Sequence, residues 1–179
     1  MLKKIVVIGP ESTGKSTLCE ALARTYNSLW CPEYAREYLV KNGKYYKYND
    51  LLTIAKGQLK MEDDYAAKMI DRKVQPPYLF VDTDMYVMKV WCEYVFEKCH
   101  TFILDAIATR PYDLYLLCDI DIPWAKDELR EYPDLEVRKQ LFLMYKDLLV
   151  NQPVPWITVS GPLQERIATV KESITQLFS

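Results

Sequence analysis

Short runs of consecutive apolar residues alternate along the chain with longer stretches in which apolar positions recur every three or four residues. Ile5–Ile8, Leu29–Cys31, Tyr78–Val81, Leu114–Cys118 and Trp156–Val159 are runs of the kind that a strand buried on both faces requires. Leu18, Ala21, Leu22 and Tyr26 recur at helical spacing after the first run. Tyr34–Asn42 reads as a helix stopped by Gly43, Asp50 is placed to cap a long helix reaching about Arg72, and Asp84 to cap another reaching about Phe96. Pro76-Pro77 ends the linker before the third run, and Ser160-Gly161-Pro162 turns the chain sharply into a helix carrying Arg166. Strand followed by helix, repeated, predicts an α/β fold with a five-stranded parallel sheet flanked by helices. Ligands of such sheets bind beyond the carboxyl ends of the strands, so the residues that follow each run carry the functional information.

The first run leads directly into Gly9-Pro10-Glu11-Ser12-Thr13-Gly14-Lys15-Ser16-Thr17, in which two glycines and a following Lys-Ser stand at the spacing of a phosphate-cradling loop. Several convergent backbone N–H groups at a helix N-terminus meet a phosphate's charge best, and Gly9 and Gly14 leave room for that approach. The intervening Glu11, Ser12 and Thr13 belong to the same nucleotide-binding loop. Lys15 is placed to reach the β- and γ-phosphates of ATP, the Ser16 hydroxyl to ligate Mg²⁺, and Thr17 to begin the helix proper.

Composition narrows the choice of partner. The 179 residues, 50% apolar, suit one domain over 1–179, and a net charge of −2 from 23 basic and 25 acidic residues lacks the positive footprint of a general nucleic-acid binder. A small molecule fits better. Cys19, Cys31, Cys92, Cys99 and Cys118 are odd in number and form no CxxC pair, which argues against a disulfide framework or zinc site and for a reducing cytoplasm. No apolar segment approaches eighteen residues, so neither a membrane span nor a signal peptide is expected. A homo-oligomer is compatible with the sequence, which does not specify one.

The remaining strand ends offer candidate chemistry. Glu33 follows the second run and Arg36 stands about one helical turn later: a carboxylate for the proton of an attacking hydroxyl and a guanidinium for phosphoryl oxygens or substrate, or else an ordinary helix start. Asp82-Thr83-Asp84 follows the third run. Asp82 is a candidate for a Mg²⁺-bound water or for the acceptor's proton, and Asp84 for a sugar diol or for capping the next helix. After the fourth run, residues 119–138 are charged enough for a lid that excludes water and brings Arg130 and Arg138 onto the phosphates, although Lys126-Asp127-Glu128 also suits a solvated helix face. Gly161 lies where a turn can cover the nucleotide base. Tyr86 and Trp91 are candidates for stacking on a planar cationic ring or for filling a core, Gln58 and Glu62 either line an acceptor pocket or face water, and His100 reads as incidental.

These stretches together resemble the ribosylnicotinamide kinase domain of NadR-type proteins, within the P-loop small-molecule kinases. The resemblance is carried by Gly9 to Leu18, Pro32-Glu33-Tyr34-Ala35-Arg36-Glu37-Tyr38, Ile54-Ala55 with Gln58, Phe80-Val81-Asp82-Thr83-Asp84 with Trp91, Tyr112 to Leu117 and Asp121-Ile122-Pro123-Trp124. It implies ATP- and Mg²⁺-dependent phosphoryl transfer to the 5′-hydroxyl of nicotinamide riboside, giving nicotinamide mononucleotide, with the Asp82-Thr83-Asp84 motif and Trp91 helping to hold the riboside. The chain opens directly at its first run, so the kinase domain alone is expected. Glu128 stands where the family pattern has glycine. Two alternatives stay open: a kinase of another nucleoside or small metabolite, and an ATP-dependent regulatory binding module.

Overall fold

The computed structural model describes residues 1–178, so Ser179, the last residue of the expected domain, lies outside the described residues. In chain order the elements are β1 (Lys3–Ile8), α1 (Lys15–Thr25), β2 (Leu29–Cys31), α2 (Tyr34–Asn42), α3 (Tyr48–Asp71), β3 (Tyr78–Asp82), α4 (Met85–Phe96), α5 (Thr101–Thr109), β4 (Leu114–Cys118), α6 (Leu135–Val150), β5 (Trp156–Val159) and α7 (Leu163–Phe178). The strands form one parallel sheet in the order β2-β3-β1-β4-β5. The chain winds from β1 toward β2 on one side and later toward β4 and β5 on the other. The crevice at this reversal opens at the carboxyl end of β1.

The strand period of two divides the core. Ile5 and Val7 point to the layer of α1 and α7, among Leu18, Leu22, Val170 and Ile174. Val6 and Ile8 point the other way, among Val87 and Val90 of α4 and Leu141, Tyr145 and Leu149 of α6. A third cluster joins α2, α3, α4 and α5 through Ala35, Ile54, Met88 and Ile103, away from the sheet. That helical layer forms one wall of the crevice.

Several sequence expectations are corrected in detail. Asp50 is not the N-cap of α3: it stands three residues inside, where its carboxylate accepts from Lys47 N at 2.7 Å in a capping box. The helix of the phosphate loop begins at Lys15 rather than Thr17. α5 and the full extent of α6 are additions to the pattern-based reading. Residues 126–128 lie in a non-helical segment, so the mixed charge there does not mark a helix face.

Candidate active site

The loop between β1 and α1 is shaped by two backbone requirements. A side chain at Gly9 would place Cβ 2.9 Å from the Cys118 carbonyl of neighbouring β4, and Gly14 caps α1 in the left-handed region at φ 79°. Ser12 also has positive φ, at 58°, giving the kind of alternating backbone that builds an anion nest. Two buried guanidiniums brace the loop from behind. Arg166 of α7 donates to the Thr13 carbonyl at 2.8 Å and to the Gly161 carbonyl at 2.8 Å and pairs with Asp121; Arg138 of α6 donates to the Ser12 carbonyl at 3.3 Å and the Ile122 carbonyl at 3.2 Å. Lys15 curls back to the Pro10 carbonyl at 3.0 Å, within the cradle itself.

At the end of β3, Asp82 is fully buried and accepts the Ser16 hydroxyl at 2.5 Å. Two oxygen donors from different elements thus meet beside the loop, a donor set suited to a hard cation such as Mg²⁺. Burial raises the Asp82 pKa, against the pull of Lys15 and the Ser16 hydrogen bond. Glu33, the N-cap residue of α2, lies near enough to feel that charge. Its carboxyl is raised to about 6, chiefly by burial and then by Asp82, while Lys15 and Arg36 oppose the rise.

A cavity of about 230 Å³ runs along the loop from Gly9 to Thr17 and past Glu33, Arg36 and Arg130. Its far wall is apolar and aromatic: Leu39 of α2, Val87, Val90, Trp91 and Tyr94 of α4, and Leu141 and Tyr145 of α6. The segment between β4 and α6 closes over it. Glu11 accepts from Glu131 N at 2.9 Å and from Tyr132 N, Ser12 Oγ accepts from Ala125 N at 2.9 Å, and Arg36 pairs with Asp127 at 2.5 Å. Arg130 donates to the Ala125 carbonyl and faces the cavity.

Of the residues singled out from sequence, Gly9, Glu11, Ser12, Thr13, Gly14, Lys15, Ser16, Thr17, Glu33, Arg36, Trp91 and Arg130 all line this cavity, and Asp82 stands behind Ser16. Others are placed elsewhere. Asp84 is buried as the N-cap of α4, accepting from Tyr86 N at 2.9 Å, Val87 N at 3.4 Å and the Tyr115 hydroxyl at 2.8 Å, and burial pushes its pKa up to about 7. Buried and absent from the cavity lining, it serves as the helix cap rather than presenting its carboxylate to the cavity. Arg138 is held in α6 against the loop backbone, so it is a brace rather than a mobile lid group. Gly161 lies outside the cavity lining, its N–H bound to Asp121.

Gln58 and Glu62 neither line the cavity nor face water. Gln58 accepts from Tyr34 N at 2.7 Å, fixing the start of α2 beside Glu33, and Glu62 binds Lys4 at 2.8 Å, Arg110 at 3.2 Å and the Tyr112 hydroxyl at 2.8 Å. His100 precedes α5 and stacks on Tyr48 at 3.7 Å. Sequence reasoning missed Val87, Val90 and Tyr94, although their three-to-four spacing around Trp91 marks one face of α4. It also missed Tyr145 and Glu131, which no local pattern announces.

Several known proteins share this architecture. The chain is 26% identical over 162 residues to the trifunctional NAD biosynthesis/regulator protein NadR of Escherichia coli (strain K12), and equally to that of Salmonella typhimurium, covering 88% of this chain and 38% of each relative. It therefore spans well under half the length of these curated relatives. The crystal structure of a NadR protein in complex with NR superposes with a TM-score of 0.77 at 23% identity, over 99% of this chain and 50% of that one. One in complex with NAD and AMP-PNP gives 0.74 at 22%, over 98% and 49%. Thymidylate kinase from Ehrlichia chaffeensis gives 0.63 at 16%, over 97% and 98% of the two chains. These likenesses establish the P-loop kinase fold, and because the profile of the AAA domain family matches residues 4–166, the chain belongs to that family.

Proposed function

We propose that this protein transfers the terminal phosphoryl group of ATP to the 5′-hydroxyl of nicotinamide riboside, giving nicotinamide mononucleotide. The observation that carries this reading is one cavity lined both by the phosphate loop and by an aromatic wall, with Glu33 also in its lining. Such a space suits a triphosphate at one end and a flat ring at the other, and a pyridinium ring is favoured against Trp91 and Tyr94 because aromatic faces attract cations. The similarity to NadR, one relative of which was crystallised with NR, supports the same acceptor.

The roles follow from position and charge. The loop N–H groups and Lys15 meet the phosphate charge, and Arg36 and Arg130 add cationic groups beside it. Ser16 and Asp82 would hold Mg²⁺, directly or through water, and the ion would supply charge neutralisation on the phosphates. Glu33, open to the cavity, accepts the proton of the acceptor hydroxyl; Asp82, buried and engaged by Ser16, is the poorer candidate for that task. The 119–134 segment acts as a lid that keeps water from the transferred group. The odd number of cysteines and the lack of a CxxC pair in the sequence support a reducing compartment such as the cytoplasm, and no helix among the described residues is long and apolar enough to cross a membrane.

The test is incubation of purified protein with Mg-ATP and a panel of ribosides, with products identified by mass spectrometry. Nicotinamide mononucleotide is expected, and Lys15→Ala should lower its formation by at least ~10²-fold while leaving the circular-dichroism spectrum unchanged. Turnover of another nucleoside in place of nicotinamide riboside would reassign the acceptor; nucleotide binding without any acceptor phosphorylation would point to a regulatory module.

A further inference from the structure

Tyr46 lies in the short connection between α2 and α3, outside the cavity lining, yet it touches both the aromatic wall and the lid. Its hydroxyl accepts the indole N–H of Trp91 at 2.8 Å and donates to a Glu131 carboxylate oxygen at 2.9 Å. The direction of both bonds is fixed by chemistry: an indole nitrogen only donates and a carboxylate only accepts, so the one Tyr46 proton must point to the lid. The Tyr46 ring meets Trp91 edge-on at 4.8 Å and Phe96 at 6.2 Å, which holds the hydroxyl in place. Glu131 is in turn gripped at its backbone, where its N–H donates to Glu11 of the phosphate loop at 2.9 Å. A continuous path of hydrogen bonds therefore runs from the wall that faces the acceptor, through Tyr46 and Glu131, to the loop that faces ATP.

We propose that Tyr46 is a positioning residue that couples occupancy of the Trp91 wall to closure of the 119–134 lid, making phosphoryl transfer dependent on a seated acceptor. This rests on the acceptor site read above. A ring stacked on Trp91 limits the indole's rotation, which keeps its N–H on Tyr46 and keeps the Tyr46 proton on Glu131. The lid then stays latched beside Glu11. With the wall empty, Trp91 is freer to turn, the relay weakens, and water can open the lid before the phosphoryl group is committed.

Tyr46→Phe keeps the ring contacts and deletes both hydrogen bonds. Losing such bonds should raise the riboside KM about fivefold or more while leaving the ATP KM within about twofold, and should raise ATP hydrolysis relative to riboside phosphorylation. The lid reports directly, because trypsin cleavage after exposed Lys126 can be followed by mass spectrometry. Nicotinamide riboside should protect that bond in wild-type protein but not in Tyr46→Phe. From the other end, Glu131→Gln keeps an acceptor for the Tyr46 proton and should retain protection, whereas Glu131→Leu should lose it. Equal KM values and equal protection in wild type and Tyr46→Phe would overturn the coupling and leave the kinase reading intact. A lowered melting temperature with those two readouts unmoved would do the same, reducing Tyr46 to a packing role. Wild-type protein that phosphorylates no riboside refutes the reading of the site and the coupling with it.

Discussion

Replacing Glu33 with glutamine should make the unliganded protein more stable and nearly inactive at once. The side chain keeps its shape, loses its charge and exchanges one carboxylate oxygen for an amide NH2. Burial and the neighbouring Asp82 lift the Glu33 carboxyl from 4.5 to about 6, so folding favours its protonated form. That rise corresponds to about 2 kcal/mol of destabilisation once the group is ionised, and the opening to the cavity lowers the figure toward about 1 kcal/mol. The sign follows from proton uptake: between pH 4.5 and 6 the folded chain binds the proton more tightly than the unfolded chain, so stability from this group is present below that window and is lost as pH rises through it. Wild type and Glu33→Gln should therefore melt together near pH 4.5. At pH 7.5 without nucleotide, the variant should melt higher by roughly 2–8 °C for a chain of this size. Turnover should fall by ~10²-fold or more if Glu33 accepts the acceptor's proton, and the wild-type rate should decline below about pH 6 as the carboxylate is titrated. Differential scanning fluorimetry across pH, paired with a coupled assay of ADP release, measures both. A variant that melts lower than wild type at pH 7.5, or one that turns over normally, would refute the reasoning.

Two further substitutions separate the acceptor wall from its supports. Trp91→Ala should raise the riboside KM by about tenfold or more, in keeping with the loss of a base-stacking contact, with the ATP KM within about twofold; equal changes in steady-state kinetics would make Trp91 a core residue instead. Gly57→Ala tests packing, because an alanine Cβ in α3 would fall 2.1 Å from the Tyr34 ring. Helix propensity alone would make that change stabilising by about 1 kcal/mol, whereas displacement of Tyr34 should destabilise by about 1–3 kcal/mol and move Glu33, the residue just before it, out of position. Urea denaturation decides between the two signs, and a lower kcat should accompany the destabilised outcome.

The strands and the phosphate loop are legible in the linear sequence, because each depends on residues close together in the chain. An apolar run of four or five residues between polar segments has few places to go except a buried strand, and the spacing of Gly9, Gly14, Lys15 and Ser16 specifies its loop without help from distant residues. The role of Asp84 is not legible in this way: it has the spacing of a cap and of a sugar ligand alike, and only the fold buries it, with its second oxygen on the Tyr115 hydroxyl 31 positions away. The tertiary structure alone decided the fate of the other charged groups. Glu62 and Arg166 look like solvated helix residues in a linear reading, yet Lys4 and Tyr112 enclose the first, and the Thr13 carbonyl, 153 positions away, receives the second. Tyr145 and Glu131 reach the cavity only because α6 and the segment before it fold against the phosphate loop. Hydrophobic periodicity marks which faces are buried, but the cost of burying a charge or hydroxyl is met only by a specific partner, and that partner is chosen by how the layers pack.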